Sequence, residues 1–424
     1  MAEPRPSVLM VFSKFGRTAE SRYLTNDLAD AFAARGFAVR VIHLPWDEPR
    51  DAGEAFYVQE NGVEVLVSPP VSLSRLGRLG ALCAKWGGSS FVAARRARRR
   101  FGRRPADLVI GMSPIVVGAF VFLWALRSAR LGSYAYLVDF FPFHHRAIGV
   151  MPGGLIFAFA RWLESALLRR FTVVGCMSPL GLDYLERRYD LRPGQATGVV
   201  SLWGPQTLAP EGDRGAARRR HDLPVDRPIA VFGGQITHGR GIEDVLACAE
   251  LARGTRAGPL FLFIGDGPLA ALVRGAVEGG SSNVRLLASM GRDEYLALVA
   301  ACDVGLVATV ADVDVPTFPS KTIDYLRAGL PVVASVEATT DFDAFVSERG
   351  FGLAVKAGDP AAMLAAIEAV LADPGRRRDM ASAGRRTLRE VFNVDIAVAG
   401  MLAQVAQARS GDGHTDARRS RKAG

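Results

Sequence analysis

The chain reads as an α/β protein made of two open, doubly wound parallel-sheet domains in tandem. Three observations predict this. At 424 residues the chain is longer than one ordinary core. Short β-branched apolar runs alternate with amphipathic helical patterns as far as Pro360, the pattern of parallel sheets covered on both faces. Between two such series lies Gly204–Pro228, rich in Gly, Pro and Arg and without apolar period, which reads as the interdomain linker.

The elements follow in order. Val8–Phe12 is a continuous apolar run of strand length. After a polar loop, Leu24, Leu28, Ala31 and Phe32 recur on one helical face. Gly36 caps that helix, and Val39–Leu44 makes the next strand. Asp107–Gly111, Tyr134–Asp139, Thr172–Met177 and Val199–Leu202 complete the first series. Ser178-Pro179 pairs a capping hydroxyl with proline at the first helical position. The second series runs through Ile229–Phe232, Leu260–Ile264, Val284–Leu287, Val304–Val307, Val332–Ala334 and Leu353–Val355. Beyond Pro360 the pattern is helical only. No short-period repeat is visible.

Composition narrows the function classes. Hydrophobic residues at 49% and charged residues at 22% exclude a disordered chain. The longest apolar stretches, Ile115–Leu126 and Leu155–Ala160, fall short of the roughly 20 residues that span a bilayer. Met1–Ser7 has no apolar core, so no secretory signal is expected. Cys83, Cys176, Cys248 and Cys302 lie far apart in apolar stretches, as small buried hydrophobes of a reducing, cytoplasmic compartment do.

The net charge of +9 is uneven. Arg95–Arg104 holds seven arginines in ten residues, either a solvated helix face or a cationic patch for an anionic membrane surface. The polar, basic tail 409–424 reads as disordered. Nucleic acid is not an expected partner, because the arginine run has no aromatics at stacking spacing.

In such sheets ligands bind beyond the carboxyl ends of the strands. Four loops of the second series stand there. Gly233–Gly241 is glycine-rich, opens a helix at Ile242 and carries Arg240, a guanidinium suited to phosphate oxygens. Gly265-Asp266-Gly267-Pro268 resembles it, and each is also what a tight strand–helix turn would need for geometry alone. Ala288–Gly291 is unremarkable by composition. The fourth is sharper: Ser320 follows Pro319 as a helix cap, Lys321 stands in the first turn, and Gly329 closes the helix. A helix amino end disfavours a cation, so Lys321 makes sense there if an anionic ligand sits against it. Asp324, one turn on, shares the face and can reach ribose or sugar hydroxyls.

The run "FPSKTIDYLRAGLPVVAS" resembles the donor-binding helix of family 4 glycosyltransferases of the GT-B fold, closest to those that build bacterial surface polysaccharides. "VFGGQITHGRGIEDVL", "FLFIGDGP" and "NVRLLASMGRDEYLALVAACDVGLV" agree with that family in order and spacing. "PADLVIGMSPIVVGAF", "YLVDFFP" and "VVSLWG" fit its first domain more loosely. The resemblance implies two Rossmann-like domains facing a cleft: an acceptor domain over 1–204 and a nucleotide-sugar domain over 205–390. A last helix, within 391–408, would cross back to the first domain.

It also implies a retaining, metal-independent transferase that uses a nucleoside-diphosphate sugar as co-substrate, without a further cofactor, and a sugar or lipid-linked acceptor. Arg240 and Lys321 would hold the diphosphate, with Gly16, Gly234, Gln235, Gly265, Gly267, Pro319 and Ser320 lining the donor. Backbone at Ser289 and Met290 would meet the base, and Asp324 the hydroxyls. Asp139, at a first-domain strand end, would orient or deprotonate the acceptor, with His144 as a second acceptor-side candidate.

Three positions depart from the family pattern. Pro316 stands where the first of two paired glutamates would be, and Gln235 where many members have arginine. The first loop keeps only Gly16 of a usual double glycine. These departures motivate one alternative, a non-catalytic nucleotide-sugar-binding partner of another transferase. A second is a nucleotide-sugar epimerase on the same architecture. Asp312-Val313-Asp314 resembles a metal-binding acid pair of the other large transferase fold, but tandem nucleotide-type domains argue for a structural or sugar-facing role.

Overall fold

A computed structural model describes residues 5–18, 21–45, 53–71, 87–210, 212–254 and 258–411. Cys83 and the tail from 412 onward lie outside the described residues. The described residues divide into two units, one within Met1–Ser201 and Val394–Gly424, the other Leu202–Asn393.

Among the described residues the first unit is built on eight strands: β1 (Ser7–Phe12), β2 (Ala38–His43), β3 (Ala55–Val58), β4 (Glu64–Val67), β5 (Leu108–Met112), β6 (Gly132–Leu137), β7 (Val173–Cys176) and β8 (Ala196–Val199). Their order is β3-β4-β2-β1-β5-β6-β7-β8. Seven run parallel, but β3 is antiparallel to β4, with Ala55 opposite Val67. This edge hairpin escapes a reading for buried parallel strands because β3 is four residues long and only half-buried. Its turn closes through Gly62, whose amide donates to the Gln59 carbonyl. The strand read at Val199–Leu202 lies three residues earlier, at Ala196–Val199; Leu202 and Trp203 are buried apolar residues beyond it.

Helix starts follow local chemistry. Ser178 accepts from the Gly181 amide with Pro179 at the first helical position, and Gly36 follows helix Leu24–Ala34 at φ 83°. The helix Val394–Ser410 packs within this unit: Tyr134 Oη donates to Gln404 Oε1 at 2.8 Å, and Gln404 Nε2 donates to the Val199 carbonyl at 3.0 Å.

The second unit holds β9 (Ile229–Gly233), β10 (Leu260–Ile264), β11 (Val284–Leu287), β12 (Val304–Ala308), β13 (Val332–Val336) and β14 (Gly352–Lys356). All are parallel, in the order β11-β10-β9-β12-β13-β14. The order reverses between β9 and β12, so loops leaving the carboxyl ends of those two strands diverge and leave a crevice.

The linker expectation for Gly204–Pro228 fails. Arg214–Arg220 is a helix of this unit, and Arg218 is buried. Its guanidinium donates to the carbonyls of Ala301 (2.8 Å) and Arg227 (2.9 Å) and to Asp303 Oδ2 (2.7 Å). Asp303 Oδ2 also accepts from the Ile229 amide, which ties this helix to the start of β9. A helix whose buried member is an arginine leaves no apolar period to read.

Candidate active site

The site begins where the chain leaves β9. Gly234 donates its amide to the Ile264 carbonyl at 2.9 Å, and Ile236 to the Asp266 carbonyl at 3.0 Å. The loops after β9 and β10 are thus laced together. Their contact is close enough to require glycine: a Cβ at Gly265 would drive into the Gly234 carbonyl, and one at Gly267 into that of Ile236. The loop after β11 joins them, because the Ser289 amide donates to Asp266 Oδ2 at 3.1 Å. Gln235 and Ser289 are exposed and Met290 is half-buried.

The helix Lys321–Arg327 closes the other side. It is seated by Tyr325, whose hydroxyl accepts from the Gly233 amide at 2.9 Å and donates to the Leu306 carbonyl at 3.0 Å. That bridge pins the helix to the ends of β9 and β12. Ser320 does not cap it: the residue is helical and exposed, and its side chain accepts no amide. The turn before the helix is held instead by Glu337, just past β13. Glu337 Oε1 accepts from the Thr317 amide (2.9 Å) and hydroxyl (2.7 Å), and Oε2 accepts from the Thr309 hydroxyl. Sequence reasoning missed Glu337, although a lone acid directly after the apolar run Val332–Val336 is a visible signal.

Lys321 is the outstanding group. Its Nζ is buried, donates to no hydrogen-bond partner among the described residues, and lies 3.1 Å from the ring centroid of Phe232. Burial, and secondarily the charge of Arg240, pull its ammonium well below the ordinary lysine range. Two basic side chains, Lys321 and Arg240, therefore converge at the end of β9. Asp324 lies 15% exposed, with both oxygens engaged by Arg292 at 2.5 and 3.1 Å. Burial raises its carboxyl despite Arg292 and Arg327. Arg292 is a second functional side chain not found from the sequence. It opens the helix Arg292–Ala300, so it shows the same misplaced-cation signal as Lys321.

The remaining candidates belong to the first unit. Gly16 is fastened by Asn26, which accepts from its amide (2.8 Å) and donates to its carbonyl (3.0 Å). Asp139 lies two residues past β6; its amide and that of Val138 donate to Ser113 Oγ, both at 3.1 Å. The histidine beside Asp139 is His145, with Nδ1 3.6 Å from Oδ2, rather than His144. Nothing in a His-His pair tells which ring a five-residue helix turns toward the acid. Nearby, Glu164 is fully buried and accepts from the amides of Ile115 and Val116, both at 2.8 Å. Burial pushes its carboxyl up to about 7 against those two amides. Asp312 and Asp314 are exposed.

Two family models cover most of the chain: "Glycosyl transferase 4-like domain" over residues 21–203 and "Glycosyl transferases group 1" over 227–373. A 2-deoxystreptamine glucosyltransferase of Streptomyces kanamyceticus is 30% identical, the match covering 78% of this chain and 84% of that protein. The chain belongs to the family 4 glycosyltransferases of the GT-B fold. This glycosyltransferase is also 25% identical to a putative colanic acid biosynthesis glycosyl transferase, WcaI of Escherichia coli, over 86% of its own length and 91% of the relative's. Its fold matches that of Anabaena HepE, solved in complex with UDP-glucose: TM-score 0.66, 15% identity, 96% of this chain and 100% of that one.

Proposed function

We propose that this glycosyltransferase moves a sugar from a nucleoside-diphosphate sugar to a hydroxyl of a lipid-linked glycan, with retention of anomeric configuration, in the synthesis of a cell-surface polysaccharide or glycolipid. The carrying observation is Lys321, a buried basic side chain without a hydrogen-bond partner among the described residues, beside Arg240 at a sheet's topological switch. A cation held in this way is costly until an anion arrives, and a diphosphate is the anion this fold's strand ends accommodate.

In this reading Arg240 and Lys321 hold the diphosphate, and the tight turns at Gly234–Gln235 and Gly265–Gly267 let the backbone approach it. The helix start at Pro319–Ser320 adds positive potential. Ser289 and Met290 meet the base through backbone, and the Arg292–Asp324 pair faces the ribose or sugar hydroxyls. As the glycosidic bond breaks, negative charge grows on the leaving phosphate, and fixed cations stabilise it more than they stabilise the bound donor. No metal ion is needed for that step. Asp139, with His145 beside it and His144 next along, orients the acceptor hydroxyl and takes its proton. The putative colanic acid role of the Escherichia coli relative and the UDP-glucose in the Anabaena structure support this reading. A cytoplasmic enzyme, peripheral on the membrane through Arg95–Arg104, would meet such an acceptor.

The test is transfer with UDP-, GDP- and dTDP-sugars and lipid-linked acceptors, with and without a chelator, the product's anomeric centre read by NMR. Chelator-resistant transfer with retained configuration is expected. Nucleotide binding without donor consumption would make the chain a non-catalytic partner, and an altered sugar without acceptor would make it an epimerase.

A further inference from the structure

The helix Leu155–Leu168 is apolar on two sides. Its inner side buries Phe157, Ala160 and Leu167. Its outer side carries Leu155, Phe159 and Trp162 at i, i+4, i+7, and these are 89%, 53% and 63% exposed. Phe159 and Trp162 stack on each other at 5.8 Å, so the ridge presents a joined aromatic surface. A second exposed pair, Phe91 and Phe120, meets edge to face at 5.7 Å. It belongs to helices Ser89–Phe101 and Ala119–Ala125.

The sheet order puts these helices in one layer. The connections from β4 to β5, β5 to β6 and β6 to β7 all step in the same direction, so right-handed crossovers leave them on one face. The β1-to-β2 connection steps the other way, which puts Leu24–Ala34 on the opposite face. Around the aromatic pairs this layer is strongly cationic. Residues 87–172 contain 13 arginines and three acids, Asp107, Asp139 and Glu164, of which Glu164 is buried. Arg161 within this helix and Arg170 just past its end are exposed, as are Arg95 and Arg98 on the helix that carries Phe91.

We propose that this helical layer is the surface by which the enzyme docks on an anionic lipid bilayer, with Leu155, Phe159 and Trp162 entering the headgroup–acyl boundary. Apolar residues with interfacial tryptophan, bordered by arginine, fit a surface that is greasy within and negative outside. Among the described residues no helix is long and apolar enough to cross a membrane, so this helix lies in the interface. A second copy is a poorer occupant, because a two-fold interface would set each arginine field against itself. The proposal deepens the peripheral-membrane part of the proposed function, and its test is independent of the donor chemistry.

The full chain is sedimented with phosphatidylglycerol-containing vesicles and with pure phosphatidylcholine vesicles, and its melting temperature is followed with nucleoside diphosphates. We expect binding to anionic vesicles that weakens with salt. The double variant Phe159→Ser, Trp162→Ser should bind them at least about tenfold more weakly, with unchanged melting temperature and unchanged response to nucleotide. Brominated lipids should quench tryptophan fluorescence in the native chain and clearly less in Trp162→Phe. Failure of the native chain to bind anionic vesicles, or equal binding by the double variant, would overturn the proposal. So would quenching unaffected by Trp162→Phe, or a dimer in light scattering that the double variant dissolves. Loss of the nucleotide response with vesicle binding intact would count against the transferase reading alone.

Discussion

Lys321 concentrates the chemistry in one side chain whose state in the free protein is unfavourable. Its nitrogen faces the Phe232 ring and feels Arg240, and among the described residues no hydrogen bond offsets its desolvation. Lys321→Met should therefore act in opposite directions on stability and function. Urea unfolding should show unchanged or increased stability, by up to about 1 kcal/mol, while kcat falls about 10²–10³-fold. Glu164 is a different kind of costly group. Its folded-state pKa, about 7 against an ordinary 4.5, means that the folded chain holds a proton the unfolded chain has released. Stability from this group is thus intact below about pH 4.5 and is lost as pH rises to about 7, by about 3 kcal/mol in total. Unfolding at pH 5 and pH 7.5 should show a drop that Glu164→Gln flattens; an equal drop in both proteins would remove Glu164 as its source.

At the scale of elements, legibility in the sequence followed the kind of force that holds each piece. Strands such as Leu260–Ile264 were readable to the residue because apolar burial alone defines them. The Arg214–Arg220 helix and the β3–β4 hairpin were not, one being held by an arginine on carbonyls and the other by half-buried edge pairing. The donor loops were readable from glycine and from a cation at a helix start, which local rules disfavour. Their tethers were not: Glu337 and Arg292 stand out locally, but their partners Thr309, Thr317 and Asp324 lie 20–32 residues away, farther than any local pattern spans. Two predictions belong here. Asp303→Ala leaves Arg218 buried without its acid, and should cost about 3–5 kcal/mol in urea unfolding. Glu337→Ala frees Thr309 and Thr317, so the turn before Lys321 should lose definition. KM for the donor should rise about tenfold, with a smaller stability loss of about 1–3 kcal/mol, because the buried Thr309 hydroxyl and the half-buried Thr317 hydroxyl lose their acceptor.

For the whole molecule, the two sheets carry different duties. The second laces together the loops leaving β9, β10 and β11 and seats the helix Lys321–Arg327 beside them. The first offers Asp139 at a strand end and a cationic, aromatic outer layer. Under the proposed function, the diphosphate contacts rest on the second unit's residues and are separable by mutation from the proposed membrane docking. The most direct test of the central claim is calorimetric titration of UDP, GDP, dTDP and ADP into the native chain and into Lys321→Met. One or more of these nucleotides should bind the native chain and bind the variant at least about tenfold more weakly, as loss of a charge-assisted phosphate contact requires. Equal affinity for both proteins would contradict the account, because the diphosphate would then lie elsewhere than against Lys321.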